Sequence, residues 1–351
     1  MTIDETIGDY LKSVALSRSA NTSRTYRNAL ASFRLSLRKE GLDPAVAPAQ
    51  TIREDMISAF ADTLKAYAPA SERLYLTAVA GWFEFLAAET LAEVNLPRLR
   101  TLIRRRARRP GIRLPQFPED SIARVLAFAV ELDQAPAPDR SASLRNLRDR
   151  AYLLTLGDTG LRVHEACRMR RGDLDWNEGR AILVGKGNRQ DVVRFSRRSL
   201  RALRSYLSAR AALDGASGRP LAALPVFARH DPGAAKKVLP MSTATGRAIV
   251  HQRVAEALGP EEVGTITPHS FRHYFVTTVL RGSGGNLKLA QELARHRNIA
   301  VTQRYAHLAG DELDRAYAEI FDPSPGDHLS GRALTRTGPA PPRRTRSGDE
   351  P

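Results

Sequence analysis

Apolar side chains in the first part of the chain recur three and four positions apart, the spacing that places them on one face of an α-helix. Four segments show this period, with breaks at or near glycine or proline: residues 3–16, 22–39, 51–67 and 70–89. The second segment carries an apolar stripe of Tyr26, Leu30, Phe33 and Leu37 with arginines beside it. The pattern predicts a small helical bundle with one basic side.

A second region with helical periodicity begins at residue 119. Helices are predicted over residues 119–130, 144–158, 199–212, 242–258, 268–280, 287–294 and 311–321. Three short runs rich in β-branched or aromatic residues predict a three-stranded antiparallel meander, and they cover residues 174–176, 181–184 and 191–195. We therefore predict a mainly α chain with one small sheet, divided into a helical domain (1–100), a linker (101–118), a second domain (119–322) and a disordered tail (323–351).

The charge of the chain narrows the choice of partner. Its 54 Lys and Arg residues exceed its 38 Asp and Glu residues, which leaves a net charge of +16 over 351 residues. Such an excess favours a polyanion, by counterion release if that polyanion is a nucleic acid. An acidic membrane surface is the competing interpretation, but no run of about eighteen apolar residues occurs, and the N-terminus does not resemble a signal peptide. We expect a soluble, cytoplasmic protein that binds no membrane.

Arginines are concentrated between the two predicted domains. Eight of them, and no acidic residue, occur between residues 98 and 113. Prolines follow closely, so we expect this run not to continue as a helix. Unopposed positive charge between two domains is suited to crossing a phosphate backbone. We predict contact with DNA by Arg104, Arg105, Arg106, Arg108 and Arg109.

Motifs for metals and nucleotide cofactors do not occur in the sequence. The single cysteine, Cys167, excludes an intramolecular disulfide and a multi-cysteine zinc site, and we expect it to be a small buried residue. Neither a His-Glu-x-x-His motif nor a glycine-rich phosphate loop is present. We expect no metal, ATP or dinucleotide cofactor.

The segment that begins at Thr267 combines a helix start with candidate chemistry. Thr267 is a favourable N-cap, and Pro268 suits the first helical position. At about 100° per residue, His269, Arg272 and His273 share one face of this helix. The amides of its first turn, together with a guanidinium group, would make a strong site for a phosphate group.

Three further motifs accompany this one. In chain order the four are Thr-Gly-Leu-Arg-Val-His-Glu-Ala (159–166), Gly-Lys-Gly-Asn (185–188), Thr-Pro-His-Ser-Phe-Arg-His (267–273) and Arg-His-Arg-Asn-Ile-Ala-Val-Thr-Gln-Arg-Tyr-Ala-His-Leu (295–308). Each motif alone is weakly specific. Together, with His296 and Tyr305 nine positions apart, they resemble the active site of the tyrosine recombinases, the phage integrase family. The helical region before the linker resembles the core-binding domain of that family.

The resemblance implies a site-specific DNA recombinase that forms a 3′-phosphotyrosyl intermediate. Tyr305 would be the nucleophile, while Arg162 and Arg272 would bind the non-bridging phosphate oxygens. Because a phenol has an ordinary pKa of about 10, Tyr305 needs a base or cationic surroundings, and His269 is the favoured base. His296 would hydrogen-bond a phosphate oxygen.

Two further side chains complete the implied site. Lys186, on the predicted hairpin between the second and third strands, would donate a proton to the departing 5′ oxygen. Glu165 would orient the neighbouring arginine or histidine side chains, and His273 is interpreted as structural. The motif around His296 departs from the family, because Arg295 stands where a glycine is usual. Arg295 would strain the turn if the position requires a positive φ, and would otherwise add a cation beside the DNA.

The resemblance also implies partners. We expect double-stranded DNA, association with the nucleoid, and a homotetramer on DNA that is weakly associated without it, with residues 311–321 exchanged between neighbours. Two alternatives remain open at this point. One is a type IB topoisomerase that relaxes DNA with the same tyrosine chemistry, and the other is a DNA-binding protein without catalysis.

Overall fold

The computed structural model describes residues 1–108, 118–184, 190–231, 233–234, 237–303 and 305. The chain divides into two compact units, Met1–Arg113 and Leu114–Pro351, and each has its own hydrophobic core. In the part of the chain that is described, no helix has the length and apolar character needed to cross a membrane.

Five helices build the first unit: α1 (Ile3–Ser17), α2 (Ala20–Lys39), α3 (Met56–Thr63), α4 (Pro69–Ala88) and α5 (Leu96–Arg106). Side-chain oxygens of Thr2 and Ser19 cap the starts of α1 and α2. Phe33 lies at the centre of the core, with its ring edge-on to Phe60 at 5.1 Å and to Trp82 at 5.8 Å. The predicted helical bundle is confirmed, although the third predicted segment is shorter than expected.

The prediction that the arginine run is not helical is wrong for its first part. Helix α5 extends to Arg106, with Pro97 in the first turn, where a missing amide is tolerated. Leu99 anchors this helix in the core. Four arginines of the run form ion pairs with acidic side chains from earlier helices or from the loop before α3. The pairs are Arg98 with Glu54, Arg100 with Glu84, Arg106 with Asp62 and Arg108 with Glu72. The rest of the predicted linker, including Arg109, lies largely outside the described residues.

Glu72 holds the segment after α5 against α4. Its carboxylate is fully buried and accepts hydrogen bonds from Lys65 Nζ at 2.7 Å and from Arg108 Nε at 2.5 Å. The Arg108 amide also donates to it, at 3.0 Å. Burial opposes ionisation, but the hydrogen bonds from Lys65 and Arg108 lower the pKa of Glu72 to about 2. Arg108 therefore contributes to the stability of the first unit, and its contact with DNA stays a prediction.

Nine helices and one sheet are described in the second unit. The helices are α6 (Glu119–Glu131), α7 (Arg140–Thr159), α8 (Val163–Arg168), α9 (Arg197–Ala209), α10 (Ala211–Gly215), α11 (Thr243–Leu258), α12 (Pro268–Gly282), α13 (Leu287–Ala294) and α14 (Ile299–Gln303). The strands are β1 (Leu174–Asp175), β2 (Arg180–Val184) and β3 (Gln190–Arg194), which pair antiparallel in that order. The predicted meander and the mainly α fold are confirmed. Residues 311–321 and 323–351 lie outside the described part.

Helix α7 is the centre of the second unit. Tyr152, Leu153 and Leu156 have no exposed surface, and helices α6, α9 and α12 pack around them. Residues 151–157 of this helix are all buried and none is charged, which is typical of a helical segment at the centre of a core. Cys167 is buried as expected, and burial raises the pKa of its thiol to about 11.

We expect the substitution Glu72→Gln to destabilise the first unit by about 2–3 kcal/mol, because Lys65 and Arg108 would lose a buried charged partner. Thermal or denaturant unfolding of the full chain measures this. The matched control is Glu84→Gln, whose ion pair with Arg100 is exposed and should contribute at most about 1 kcal/mol. Because folding lowers the pKa of Glu72, its contribution should persist at neutral pH and disappear between about pH 4 and pH 2. Equal losses in the two variants would contradict this role of Glu72.

Candidate active site

The turn between α7 and α8 positions the first predicted arginine. Gly160 ends α7 with a left-handed φ of +60°, and a Cβ atom there would lie 2.5 Å from the ring of Phe275. Glycine is required on both grounds. Arg162 then caps α8, and the Glu165 carboxylate accepts hydrogen bonds from the Arg162 amide and from its Nη1, both at 2.8 Å. The expected role of Glu165 in orienting an arginine agrees with this geometry.

Arg272 links three segments of the site. It lies on α12 and is only 2% exposed. Its Nη1 donates to the carbonyl of Gly160 at 2.5 Å, and its Nη2 donates to the carbonyl of Ala294 at the end of α13. Burial and, to a smaller extent, the charges of Arg162 and Arg295 together lower the pKa of Arg272 to about 9. The group remains protonated at neutral pH, in surroundings that favour an added anion.

Tyr305 is 3% exposed and packs on α12 and α13. Its hydroxyl forms a hydrogen bond with Nδ1 of His273, a residue that the sequence led us to interpret as structural. The His273 ring in turn meets the ring of His269 edge-to-face, with centroids 4.3 Å apart. Burial, with His269 and Arg272, lowers the pKa of His273 to about 4. A neutral His273 can therefore accept the hydrogen bond from the phenol at neutral pH.

His296 is held by a residue that sequence reasoning missed. Its Nδ1 lies 2.9 Å from the hydroxyl of Thr302, which is fully buried on α14. The carbonyl of Thr302 accepts a hydrogen bond from the Tyr305 amide at 2.9 Å, so one residue positions both His296 and Tyr305. The predicted break between these two residues is confirmed, because Asn298 caps α14 through its side chain. The sequence feature that could have indicated this role is a residue with a side-chain hydroxyl three positions before Tyr305.

Arg295 occupies the position at which the family usually has glycine. Its φ is +56°, a left-handed conformation that residues other than glycine, asparagine and aspartate seldom adopt. The first of the two alternatives, a strained turn, therefore holds. The side chain is 6% exposed and points into the site, where Nη2 lies 3.5 Å from the Glu165 carboxylate. Arg295 thus adds a third guanidinium group to those of Arg162 and Arg272, and Glu165 is the one carboxylate described beside them.

Positive charge dominates the electrostatics of the site. Burial is the main cause of the lowered pKa of His269, and Arg272 and Arg162 lower it further. The pKa of His296 falls to about 4 for the same reasons, with Arg295 also contributing. Neutral imidazoles beside crowded guanidinium groups form a site for an anion with several oxygen atoms.

Five of the six predicted catalytic residues lie within the described chain, in or beside this pocket. The sixth, Lys186, lies outside the described residues. Among those described, no group of three or more His, Cys, Asp or Glu side chains is arranged to hold a metal ion.

Comparison with known proteins places this arrangement in a family. Residues 125–312 match the family model described as "Phage integrase family". The chain is 31% identical to tyrosine recombinase XerC of Mycobacterium leprae over 239 residues, which cover 68% of this chain and 70% of that protein. It is 32% identical to tyrosine recombinase XerC of Pelobacter propionicus over 209 residues, which cover 57% of this chain. In that comparison the chain spans 63% of the relative, less than two thirds of its length.

Solved structures share the fold. The XerH site-specific recombinase bound to its difH substrate superposes with a TM-score of 0.61 at 16% identity, covering 90% of this chain and 95% of that one. A lambda integrase dimer bound to a core site superposes with a TM-score of 0.58 at 18% identity, covering 87% and 95%. These likenesses concern the fold alone. With the family model matching more than half of the chain, this protein belongs to the phage integrase family, the tyrosine recombinases.

Proposed function

We propose that this protein is a site-specific DNA recombinase that cleaves and rejoins DNA strands through a 3′-phosphotyrosyl intermediate. One observation carries the proposal: Arg162, Arg272, His296 and Tyr305 come from separate parts of the chain to one cationic pocket. Membership of the tyrosine recombinase family supports the same reaction, and in the solved structures XerH is bound to its difH substrate and lambda integrase to a core site.

Each residue takes a role that its geometry allows. Arg162 and Arg272 bind the non-bridging oxygens of the scissile phosphodiester, where negative charge accumulates in the transition state. In the proposed tautomer, the Thr302 hydroxyl donates a hydrogen bond to Nδ1 of His296. Nε2 of that ring then carries the proton and donates to a phosphate oxygen. The Tyr305 oxygen bonds to phosphorus as the bond from phosphorus to the 5′ oxygen breaks. Lys186 supplies a proton to that oxygen.

The Tyr305 hydroxyl gives up its proton to the neutral imidazole that it contacts. His273 contacts the phenol directly, and His269, the base expected from the family, lies edge-to-face against it. The phosphotyrosyl bond conserves the free energy of the broken phosphodiester, so a 5′ hydroxyl from a second strand can reverse the reaction. Rejoining then consumes no nucleotide.

The assembled form follows from the reaction. Exchange between two duplexes requires four active sites, so we propose a homotetramer on DNA that is weakly associated in its absence. Residues 311–321 are the segment proposed to pass between neighbours. Because the proposed substrate is DNA, we propose that the protein is located on the nucleoid, in the cytoplasm. We also propose that Arg104 and Arg105 contact the phosphate backbone of the DNA.

The substitution Tyr305→Phe should abolish cleavage, because it removes the attacking oxygen, and should leave DNA binding intact. A duplex selected by the wild-type chain from a randomised library serves as the substrate, and covalent protein–DNA adducts are counted on a denaturing gel. Tyr67→Phe, at an exposed residue of the first unit, is the matched control and should form adducts at the wild-type rate. An adduct formed by Tyr305→Phe would exclude this tyrosine as the nucleophile.

The same selected duplex distinguishes the alternatives. Relaxation of a supercoiled plasmid that lacks the selected site, without exchange of strands between duplexes, would indicate a topoisomerase. Binding without any adduct would indicate a DNA-binding protein without catalysis.

Binding of DNA should raise the pKa of His296 above its value of about 4 in the free protein, because a phosphate offsets the charges of Arg272 and Arg162. The ring can be titrated by NMR in the Tyr305→Phe variant, with and without the duplex. Since the pKa is higher in the complex, binding should strengthen as the pH falls through the interval between the two values. His230 is the control, because its pKa is lowered to about 3 by burial and by Arg148 and Arg210, none of which belongs to the candidate site. An unchanged pKa of His296 would contradict phosphate binding at this position.

Deletion of residues 311–351 should weaken assembly on DNA more than it weakens binding to one half-site, because the proposed exchange concerns contacts between neighbours only. Sedimentation on a full site and gel retardation on a half-site measure the two effects. Equal losses in both assays would argue against exchange through this segment.

A further inference from the structure

Arg295 takes no part in the proposed chemistry, yet its guanidinium group is almost fully buried in the pocket. Nη1 donates to the carbonyls of Leu293 at 3.1 Å and Thr159 at 3.3 Å, and Nη2 donates to the carbonyl of Gly160 at 3.4 Å. Its Nε has no hydrogen-bond partner among the described residues. A left-handed backbone and a buried, partly unpaired cation are both unfavourable, so the contacts that this side chain makes must compensate for them.

Its contact with Glu165 differs from that of the other cation at this carboxylate. Arg162 is bound more closely, at 2.8 Å, but its side chain is 42% exposed and can turn towards a ligand. Arg295 lies at 3.5 Å with a side chain that is only 6% exposed, and hydrogen bonds to two segments of backbone hold it in place. Glu165 therefore has one partner that can leave and one that stays.

The difference matters because the Glu165 side chain is only 18% exposed. A carboxylate in such a position holds a single arginine partner strongly, and departure of that partner would leave a largely buried charge unpaired. A second, fixed cation reduces this penalty. It also lowers the attraction between Glu165 and the guanidinium group that must reach the phosphate.

On the basis of the proposed function, we propose that Arg295 is a positioning residue that keeps Glu165 paired while Arg162 turns from the carboxylate to the scissile phosphate. Its hydrogen bonds to Thr159 and Gly160 also tie the end of α13 to the turn that carries Arg162. Since His296 follows Arg295 directly, these contacts fix the separation of two phosphate-binding side chains.

The test begins with Arg295→Gly, which should fold because glycine adopts the required positive φ without strain. Adducts on the selected duplex should form about tenfold more slowly, while binding to a half-site is retained. Arg295→Lys keeps the charge but cannot make the same set of hydrogen bonds, and should show an intermediate rate.

The double variant Arg295→Gly with Glu165→Gln separates this role from a merely structural one. With the carboxylate neutralised, Arg162 is no longer held, so the double variant should cleave faster than Arg295→Gly alone. Independent structural roles would instead add their losses. A double variant slower than both single variants, or a wild-type rate in Arg295→Gly, would overturn the proposal.

Relief of backbone strain needs its own control. Thr90 is the other non-glycine residue with a left-handed φ among those described, at 54°, and it lies exposed in the first unit. Thr90→Gly should leave the rate unchanged. If the wild-type chain forms no adduct on any selected duplex, the proposed function fails; if it does and Arg295→Gly matches it, only the role of Arg295 fails.

Discussion

The backbone carbonyls at the end of α7 organise the candidate active site, because two buried guanidinium groups from elsewhere in the chain donate to them. Arg272 binds the carbonyl of Gly160, and Arg295 binds those of Thr159 and Gly160. The left-handed conformation of Gly160 turns the chain so that Arg162 follows at the start of α8. No single helix carries the site, and these hydrogen bonds hold its parts at fixed separations in the free protein. Such preorganisation reduces the reorganisation needed when charge develops on the phosphate.

Buried positive charge in the DNA-free protein has a related consequence. Arg162 and Arg295 share the Glu165 carboxylate, while Arg272 donates to backbone carbonyls. The lowered pKa values of Arg272 and of the neighbouring histidines reflect burial first and repulsion between positive charges second. A phosphodiester would relieve that repulsion, and a transition state with more negative charge on its oxygens would relieve it further. In the proposed complex and reaction, the bound phosphate would therefore offset the unfavourable free energy of crowding these cations.

Arginine serves a different purpose in the first unit. Arg106 and Arg108 pair with acidic side chains of other segments, and the buried carboxylate of Glu72 fixes the end of the helical part of the run. Arg104 and Arg105 stand in the same run, on the last turn of α5, and are exposed. The net charge of a segment therefore gives no direct measure of the charge that it offers to a ligand, since pairing depends on residues far away in the sequence.

Periodicity over a few residues predicted most of the helices and the three-stranded meander, and short motifs predicted the candidate site residues, but the helix α5 within the arginine run was missed. The sequence by itself placed the end of α7 at Gly160 and the start of a new helix after Asn298. The contacts of His273 with Tyr305, of Arg272 with Gly160 and of Arg295 with Glu165 emerge only from the folded chain, because these partners are 32, 112 and 130 positions apart. Thr302 is only six positions from His296, but their contact requires the chain to break between α13 and α14. Contacts of this kind depend on how helices pack, which local periodicity does not encode.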